Sequence, residues 1–516
     1  MDTKALRQKI LDLAIRGKLV PQDPKDEPAA VLLERIRAEK QRMVKDGKLK
    51  PKDIKNDTVI FKGDDNLHYE KFPDGTVKCI EDEIPFELPE GWSWTRLGSL
   101  FSTITGSTPS TKDASLYGDE YPFYKPTDLD AGFDVCVSED TVSEKGYKNG
   151  RILPMYSVLV TCIGATIGKT GYIKNSGICN QQINAILPNT FILPEYTYFC
   201  MCSEFEQQQI WTNSSATTLP ILNKSKFDIL FFPVPPKAQQ TRTVERIKEL
   251  LHFVEIIQQE KRTLQETIKL TKSKILDLAI RGKLVPQDPN DEPASVLLER
   301  IRSEKEELIK QGKIKRDKKE SVIFKGDDNS YYEKIGNDVT CIDDEISFDI
   351  PDTWSWTRIS TITDITMGSS PKSQDICNDN QYIEFHQGKI YFSKKTLMKS
   401  NQYTRKTTKL APKQSVLLCV RAPVGELNIT DRDICIGRGL ASIKSLGNIN
   451  EEFIFYWLHP YKTYLVNQST GSTFSAITSD TVRKILIPLP PLMEQKEILD
   501  KIQKVFTLFE NLETVN

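Results

Sequence analysis

The chain repeats itself, and this limits its fold more than any other feature. Residues 9–40, KILDLAIRGKLVPQDPKDEPAAVLLERIRAEK, recur at 274–305 with 29 of 32 positions identical. The offset is 265 residues. VIFKGDDN recurs at 59–66 and 322–329, YEK at 69–71 and 332–334, and WSWTR at 92–96 and 354–358. Beyond that point the copies diverge. GSTPS (106–110) faces GSSPK (368–372), and little else matches until FPVPP (232–236) faces IPLPP (487–491). The chain is therefore two copies of one unit of about 260 residues. Each copy holds a near-identical frame around a dissimilar middle. A frame repeated so closely presents one surface twice, to one partner twice. The middles, about 97–235 and 359–490, do related but different jobs.

Of the 516 residues, 38% are hydrophobic and 27% charged, the balance of a globular chain with more than one core. Lys and Arg number 70 against 71 Asp and Glu, which excludes a uniformly basic coat and an acidic disordered tail. No apolar run reaches membrane-spanning length, YSVLVTCIGA (156–165) being too short, and the charged start MDTKALRQKI predicts no signal peptide. Ten Cys and four His (His68, His252, His386, His459) lack zinc-ligand spacing. The expectation is a reduced, cytoplasmic protein without a bound metal.

After Pro236 a 3-4 spacing sets Ile247, Leu250, Val254, Ile257, Leu264, Ile268, Ile275 and Leu278 on one stripe. This predicts a long coiled-coil helix over 239–281, with Gly282 as its stop. The second unit repeats the start of that helix with Ile502, Val505, Phe509 and Leu512 after Pro491. A two-fold relation between the units would make the two long helices antiparallel. The offset is 255 near the C-terminus and 265 near the N-terminus. Residues 2–16 then continue the helix that 494–516 begin, with Leu6, Ile10 and Leu13 in the places of Thr271, Ile275 and Leu278. Pro28 and Pro293 suit the first turn of shorter helices, each ended by Gly, with Arg35, Arg37, Lys40 and Arg42 on a basic face. The middles read as short strands with Gly and Pro turns and a few helices. The predicted fold is α+β: two α/β domains related by a pseudo-two-fold axis, separated by two long antiparallel coiled-coil helices. The expected segments are 1–96 (N-terminal helix and frame), 97–236 (first domain), 237–281 (central helix), 282–358 (second frame), 359–491 (second domain) and 492–516 (C-terminal helix).

Catalytic motifs are missing. Gly164-Ala165-Thr166-Ile167-Gly168-Lys169-Thr170 is one residue short of a phosphate-binding loop, and the second copy reads RAPVGELN. It predicts a turn between two strands. No dinucleotide fingerprint and no Asp/Asn-Pro-Pro-aromatic tetrapeptide is present. The four frame Trp residues are expected to be packing residues. The first middle has 9 Lys/Arg and 13 Asp/Glu, and the second 16 and 10. The second therefore has the charge for phosphate contact, through Lys372, Lys389, Arg405, Arg421 and Arg438 among others. The acidic first middle has only local groups for this: Lys125, Lys169, Gln181, Gln182, Asn223 and Lys224.

LPEGWSWTRLG (88–98) and IPDTWSWTRIS (350–360) resemble the segments that open target-recognition domains in the specificity subunits of type I restriction–modification systems. The closing segments 214–240 and 469–495 and the KILDLAIRGKLVPQDP block resemble that family too. The likeness covers essentially the whole chain. The second closing segment carries the Gly471-Ser472-Thr473 turn usual in the family, whereas the first has Ala216-Thr217-Thr218. The resemblance implies a non-catalytic subunit whose two domains each read one half of a bipartite, asymmetric site in double-stranded DNA, with Thr473 among the contacts. It implies two modification (methyltransferase) subunits as partners, and two restriction (motor–nuclease) subunits in the full complex. S-adenosylmethionine, ATP and Mg2+ would belong to those partners, and none to this chain. A coiled-coil adaptor without DNA readout and a complete enzyme combining recognition with methylation or cleavage are the other two readings.

Overall fold

The computed structural model describes residues 2–215, 219–314, 316, 320–469 and 476–515. It divides into two units, Met1–Lys261 and Arg262–Asn516. The boundary falls inside one continuous helix, Lys237–Ile280, so each unit owns part of it.

In the first unit the N-terminal helix Thr3–Ile15 is capped by Asp2, whose carboxylate accepts from the amides of Lys4 and Ala5. Its Ile10, Leu11, Ala14 and Ile15 share a core with Val244, Ile247 and Val254 of the long helix. Arg7 meets Glu255 and Asp26 meets Arg242, so these two segments run antiparallel. The second unit repeats this. Leu276, Ala279 and Ile280 pack with Ile498, Leu499 and Ile502 of the C-terminal helix Leu492–Val515, and Lys272 meets Glu513.

The buried stripe differs from the predicted seam. Ile247, Val254, Ile268, Ile10 and Ile502 are buried, and Leu250, Leu264, Ile275, Leu278, Leu6, Leu13, Val505 and Phe509 are half-buried. Ile257 and Leu512, placed on the seam by their spacing, are exposed. The first unit's core reaches only to Val254 along the long helix. The N-terminal helix also packs on the helices Pro194–Met201 and Glu204–Asn213, which widens its buried stripe to 10, 11, 14 and 15.

Pro28 and Pro293 sit one residue before their helices, Ala29–Lys45 and Ala294–Lys310, as extended caps. Lys40 is not on a solvated face. It is buried and donates to Asp57 (2.9 Å) and to the carbonyls of Gly98 (2.8 Å) and Ser99 (2.9 Å). Arg35 forms a two-pronged pair with Glu27.

Each frame continues into a three-stranded antiparallel meander: Val59–Lys62, His68–Lys71 and Val77–Cys79, and again Ser321–Lys325, Tyr331–Ile335 and Asp338–Cys341. Its inner side is fixed by a buried ion pair, Glu70 with Arg96 (2.6 Å) in one copy and Glu333 with Arg358 (2.7 Å) in the other. Its outer side carries two cross-strand rows, Phe61–Tyr69–Cys79 and Val59–Lys71–Val77. The second copy has Phe324–Tyr332–Cys341 and Val322–Lys334–Val339, the same six residue types.

The blocks that bound each middle pair with each other. Ser93–Arg96 lies antiparallel to Phe231–Val234, and Ser355–Arg358 to Leu486–Leu489. Each middle is thus an excursion that leaves and rejoins the frame through one two-stranded ladder. Trp92 and Trp354 secure the ladder to the helices. Trp92 donates to Gln22 and Gln239, both at 3.0 Å, and Trp354 donates to Glu494 at 2.8 Å. Trp94 and Trp356 are buried as well.

Inside the excursion is a four-stranded antiparallel sheet. Its spatial order is Thr103–Thr105, Ile183–Ile186, Val158–Thr161, Thr170–Tyr172 in the first unit. In the second it is Thr363–Met367, Leu440–Ser445, Ser415–Cys419, Leu427–Thr430. The strands of the inner pair are buried along their length in both units, except for the partly buried Lys444 and Ser445 at the end of Leu440–Ser445. GATIGKT lies in the hairpin turn between Val158–Thr161 and Thr170–Tyr172, a turn between strands as expected. A second, mixed sheet accompanies it, of three strands in the first unit and five in the second.

Candidate nucleic-acid interface

Three loops meet at one end of the four-stranded sheet in each unit. They are the GSTP or GSSP loop, the hairpin turn after Thr161 or Cys419, and a tip before Ile183 or Leu440. Backbone hydrogen bonds hold them in matching registers. Gly106 donates to Ile183 O and Gly368 to Leu440 O, both at 2.9 Å. Ser107 donates to Cys179 O (2.8 Å) and Ser369 to Ile436 O (3.0 Å). Asn180 donates to Tyr124 O (3.1 Å) and Gly437 to His386 O (2.8 Å). Cys162 donates to Gln182 O (2.7 Å) and Val420 to Gly439 O (2.9 Å). Leu222 donates to Cys162 O (2.8 Å) and Ile477 to Val420 O (2.9 Å). The correspondence is residue by residue, although the side chains differ.

Glycine is required where the first loop crosses the tip. A Cβ on Gly106 would lie 2.0 Å from Asn180 O, and one on Gly368 2.1 Å from Gly437 O. No side chain fits such an approach. This accounts for the GS pair surviving in both otherwise dissimilar middles. The adjoining strand ends at His386, whose imidazole is buried beside Glu384 (3.0 Å). Burial holds it below its ordinary pKa, against the pull of that carboxylate.

The sequence-predicted residues fall around this end of the sheet to different degrees. In the second unit Lys389, Arg421 and Arg438 line one cleft of about 150 Å³ together with Gly439 and Pro423. Glu426 reaches Lys389 at 3.8 Å and Lys462 at 3.0 Å. Arg421 and Arg438 are exposed and make no ion pair among the described residues. The same holds for Lys372, which follows the GSSP loop, and for Arg405, whose guanidinium lies 5.8 Å over the Tyr382 ring away from the cleft. Thr473 lies outside the described residues, as do 216–218 and Gly471-Ser472.

In the first unit Gln181 and Gln182 form the tip, and Lys125 directly follows Tyr124, whose carbonyl holds it. The Thr108 hydroxyl donates to Gln181 Oε1 (2.5 Å), and Asn180 Nδ2 donates to Gln182 Oε1 (2.9 Å). Asn223 caps the helix Lys224–Asp228 beside the hairpin turn. The cations here are matched by acids: Lys125 by Asp140, Lys169 by Asp130 (2.6 Å) and Lys224 by Asp228. Lys169 and Lys224 therefore do not present free charge at the tip. Thr108 and Ser370, at equivalent places, were not singled out from the sequence. Their signal is the shared GS-x-P spacing. Among the described residues no cluster of His, Cys, Asp and Glu could hold a metal ion, and no helix is long and apolar enough to cross a membrane.

The arrangement suits a rigid strand-ended platform that offers different polar side chains from one backbone. The family described as "Type I restriction modification DNA specificity domain" matches residues 89–266 and 351–516. The EcoEI specificity subunit of Escherichia coli is 27% identical across 99% of this chain and 90% of its own length, and the EcoAI specificity subunit is 24% identical with the same coverage. Two solved structures share the fold at 20% identity. One is from a study of complex assembly and conformational transition of the type I R-M system (TM-score 0.58, 84% of this chain and 94% of that one). The other is the HsdS subunit from Thermoanaerobacter tengcongensis (TM-score 0.50, 84% and 93%). With two-thirds of its length matched, twice over, to that recognition domain, the chain belongs to the family of type I restriction–modification specificity subunits, which are non-catalytic DNA-recognition proteins.

Proposed function

We propose that each domain reads one half of a bipartite double-stranded DNA site and that the duplicated frame recruits two modification subunits. The observation that carries this is the pair of tips: one backbone hydrogen-bond scheme, built twice, with different polar side chains in equivalent places. Sequence is read by side chains at base edges, while backbone-directed contacts set position. Two such tips on one chain supply two different readings.

Electrostatics support phosphate contact in the second domain. Lys372, Lys399, Arg405, Lys406, Lys409, Lys413, Arg421 and Arg438 make no ion pair among the described residues. Unpaired cations on a protein surface are what a phosphate backbone attracts. They also disfavour an adaptor without DNA readout. The first domain pairs most of its cations internally, so its hold on DNA relies on Gln181, Gln182 and Asn223 and on the bound partners.

The meander supports twofold recruitment. Its exposed outer face keeps six identical residue types in both copies. Exposed positions of the adjoining helix have drifted, with Ala30 facing Ser295 and Arg42 facing Glu307. An exposed face kept unchanged twice fits one protein species bound twice. In the full complex two restriction subunits join. S-adenosylmethionine, ATP and Mg2+ are held by the partner subunits, in the cytoplasm.

Co-expression with cognate modification subunits tests the proposal. A complex of one such chain with two modification subunits, binding one DNA sequence above others, is expected. Assembly with no DNA preference would leave the adaptor reading instead.

A further inference from the structure

Given that reading, we infer that the second residue of each tip sets the base preference of its half-site: Arg438 selects guanine in one half, and Gln181 selects adenine in the other. The equivalence of the two residues is fixed by backbone geometry. Residues 182 and 439 accept from 162 and 420, and residues 180 and 437 donate to 124 and 386. That leaves 181 and 438 as the same position. Both are exposed. Both are braced from the same loop: Thr108 donates its hydroxyl to Gln181 Oε1, and Ser370 Oγ accepts from the Arg438 backbone amide at 3.3 Å.

Chemistry then separates the two. A guanidinium donates two parallel hydrogen bonds and matches the two acceptors, O6 and N7, on the major-groove edge of guanine. A carboxamide offers one acceptor and one donor, and matches N6–H and N7 of adenine. Gln181 Oε1 has a second lone pair for N6–H while Thr108 occupies the first, and Nε2 remains to donate to N7. The Thr108 contact thereby presets the amide orientation that adenine needs. In the second unit the Arg438 side chain is left without an acidic partner among the described residues.

The test uses the full chain assembled with its modification subunits, with methylated sites mapped across a genomic DNA. Arg438→Gln should change one base pair of one half-site from G·C toward A·T, with a preference of about tenfold or more for the new pair. Gln181→Arg should make the reverse change in the other half-site. Arg438→Lys should relax the same position while leaving the salt dependence of binding unchanged. An unchanged site in Arg438→Gln and Gln181→Arg overturns the inference but leaves bipartite reading intact. So does uniform weakening across all sequences with a reduced salt slope, which marks a phosphate contact. If the unaltered chain directs no sequence preference, it is the parent reading that fails. Should Arg438→Gln not assemble, Gln181→Arg and Arg438→Lys decide the question.

Discussion

Arg421 lines the same cleft as Arg438 but stands on the hairpin turn, not on the tip. Its role as a phosphate contact can be put in numbers. The guanidinium is exposed and makes no ion pair among the described residues, and Glu426, which pairs with the cleft's Lys389, is engaged with Lys462 as well. Its charge is therefore uncompensated in the free protein and available to one phosphate. Neutralising one phosphate on duplex DNA contributes about 0.9 to the slope of log affinity against log salt. Arg421→Ala should lower that slope by about 0.9. Between 50 and 200 mM salt the advantage of the unaltered protein should then shrink by roughly 3.5-fold. The residue packs no buried partner, so the melting profile should not move. The assay is anisotropy titration of a labelled cognate duplex with the assembled complex at four salt concentrations, repeated on a duplex of unrelated sequence. Both duplexes should lose affinity by similar factors, since a phosphate contact carries no base information. An unchanged slope, or a loss confined to the cognate duplex, would refute the assignment.

Three further expectations follow from other parts of the molecule. Burial lifts the Glu333 carboxyl, but hydrogen bonds and charge from Arg358 outweigh it and hold it below the ordinary range. A carboxyl depressed on folding stabilises above its unfolded pKa, and that contribution is lost as pH falls through its folded one. Arg358→Ala should therefore destabilise the second unit by about 3–5 kcal/mol at pH 7 by stranding a buried carboxylate. The deficit should narrow in acid, and denaturant melts at pH 7 and pH 4 that show equal deficits would count against it. Gly368→Ala places a Cβ 2.1 Å from Gly437 O and should disturb base preference in the second half-site alone, as read by methylation mapping; a normal site would show that the crossing is not needed. Four residues inserted after Gln258 add about 6 Å to the 44-residue helix and should lengthen the central gap of the methylated site or abolish recognition; an unchanged gap at full activity would exclude a spacer role.

Much of the architecture was legible in the sequence because it was written twice. WSWTR with FPVPP, and again with IPLPP, marked where each middle begins and ends, and these are the strands that pair. The hairpin turn at GATIGKT followed from the missing residue and the strands around it. The tips were harder to see. Sheet hydrogen bonds use backbone groups, so 162–183 and 420–440 keep one register while sharing almost no side chains. Only Gly106 and Gly368, where no Cβ fits, left a trace. Lys40 misled because its charge suggests solvent, whereas one aspartate and two carbonyls bury it. Ile257 misled because spacing reports a helix face but not how far a core extends along it. Pairing of Lys169 with Asp130 was equally invisible, since only the fold brings those partners together, whereas the i,i+4 spacing of Lys224 and Asp228 was there to be read.

The central claim is that one scaffold, built twice, reads two independent half-sites. Its most direct test is methylome mapping after exchange of residues 97–235 for the corresponding domain of another specificity subunit, with the modification subunits co-expressed. Each exchanged domain leaves and rejoins the frame through its own two-stranded ladder, so the rest of the chain should be undisturbed. The account predicts a site altered in one half only, with the other half retained. A change in both halves together, or an unchanged site, would contradict it.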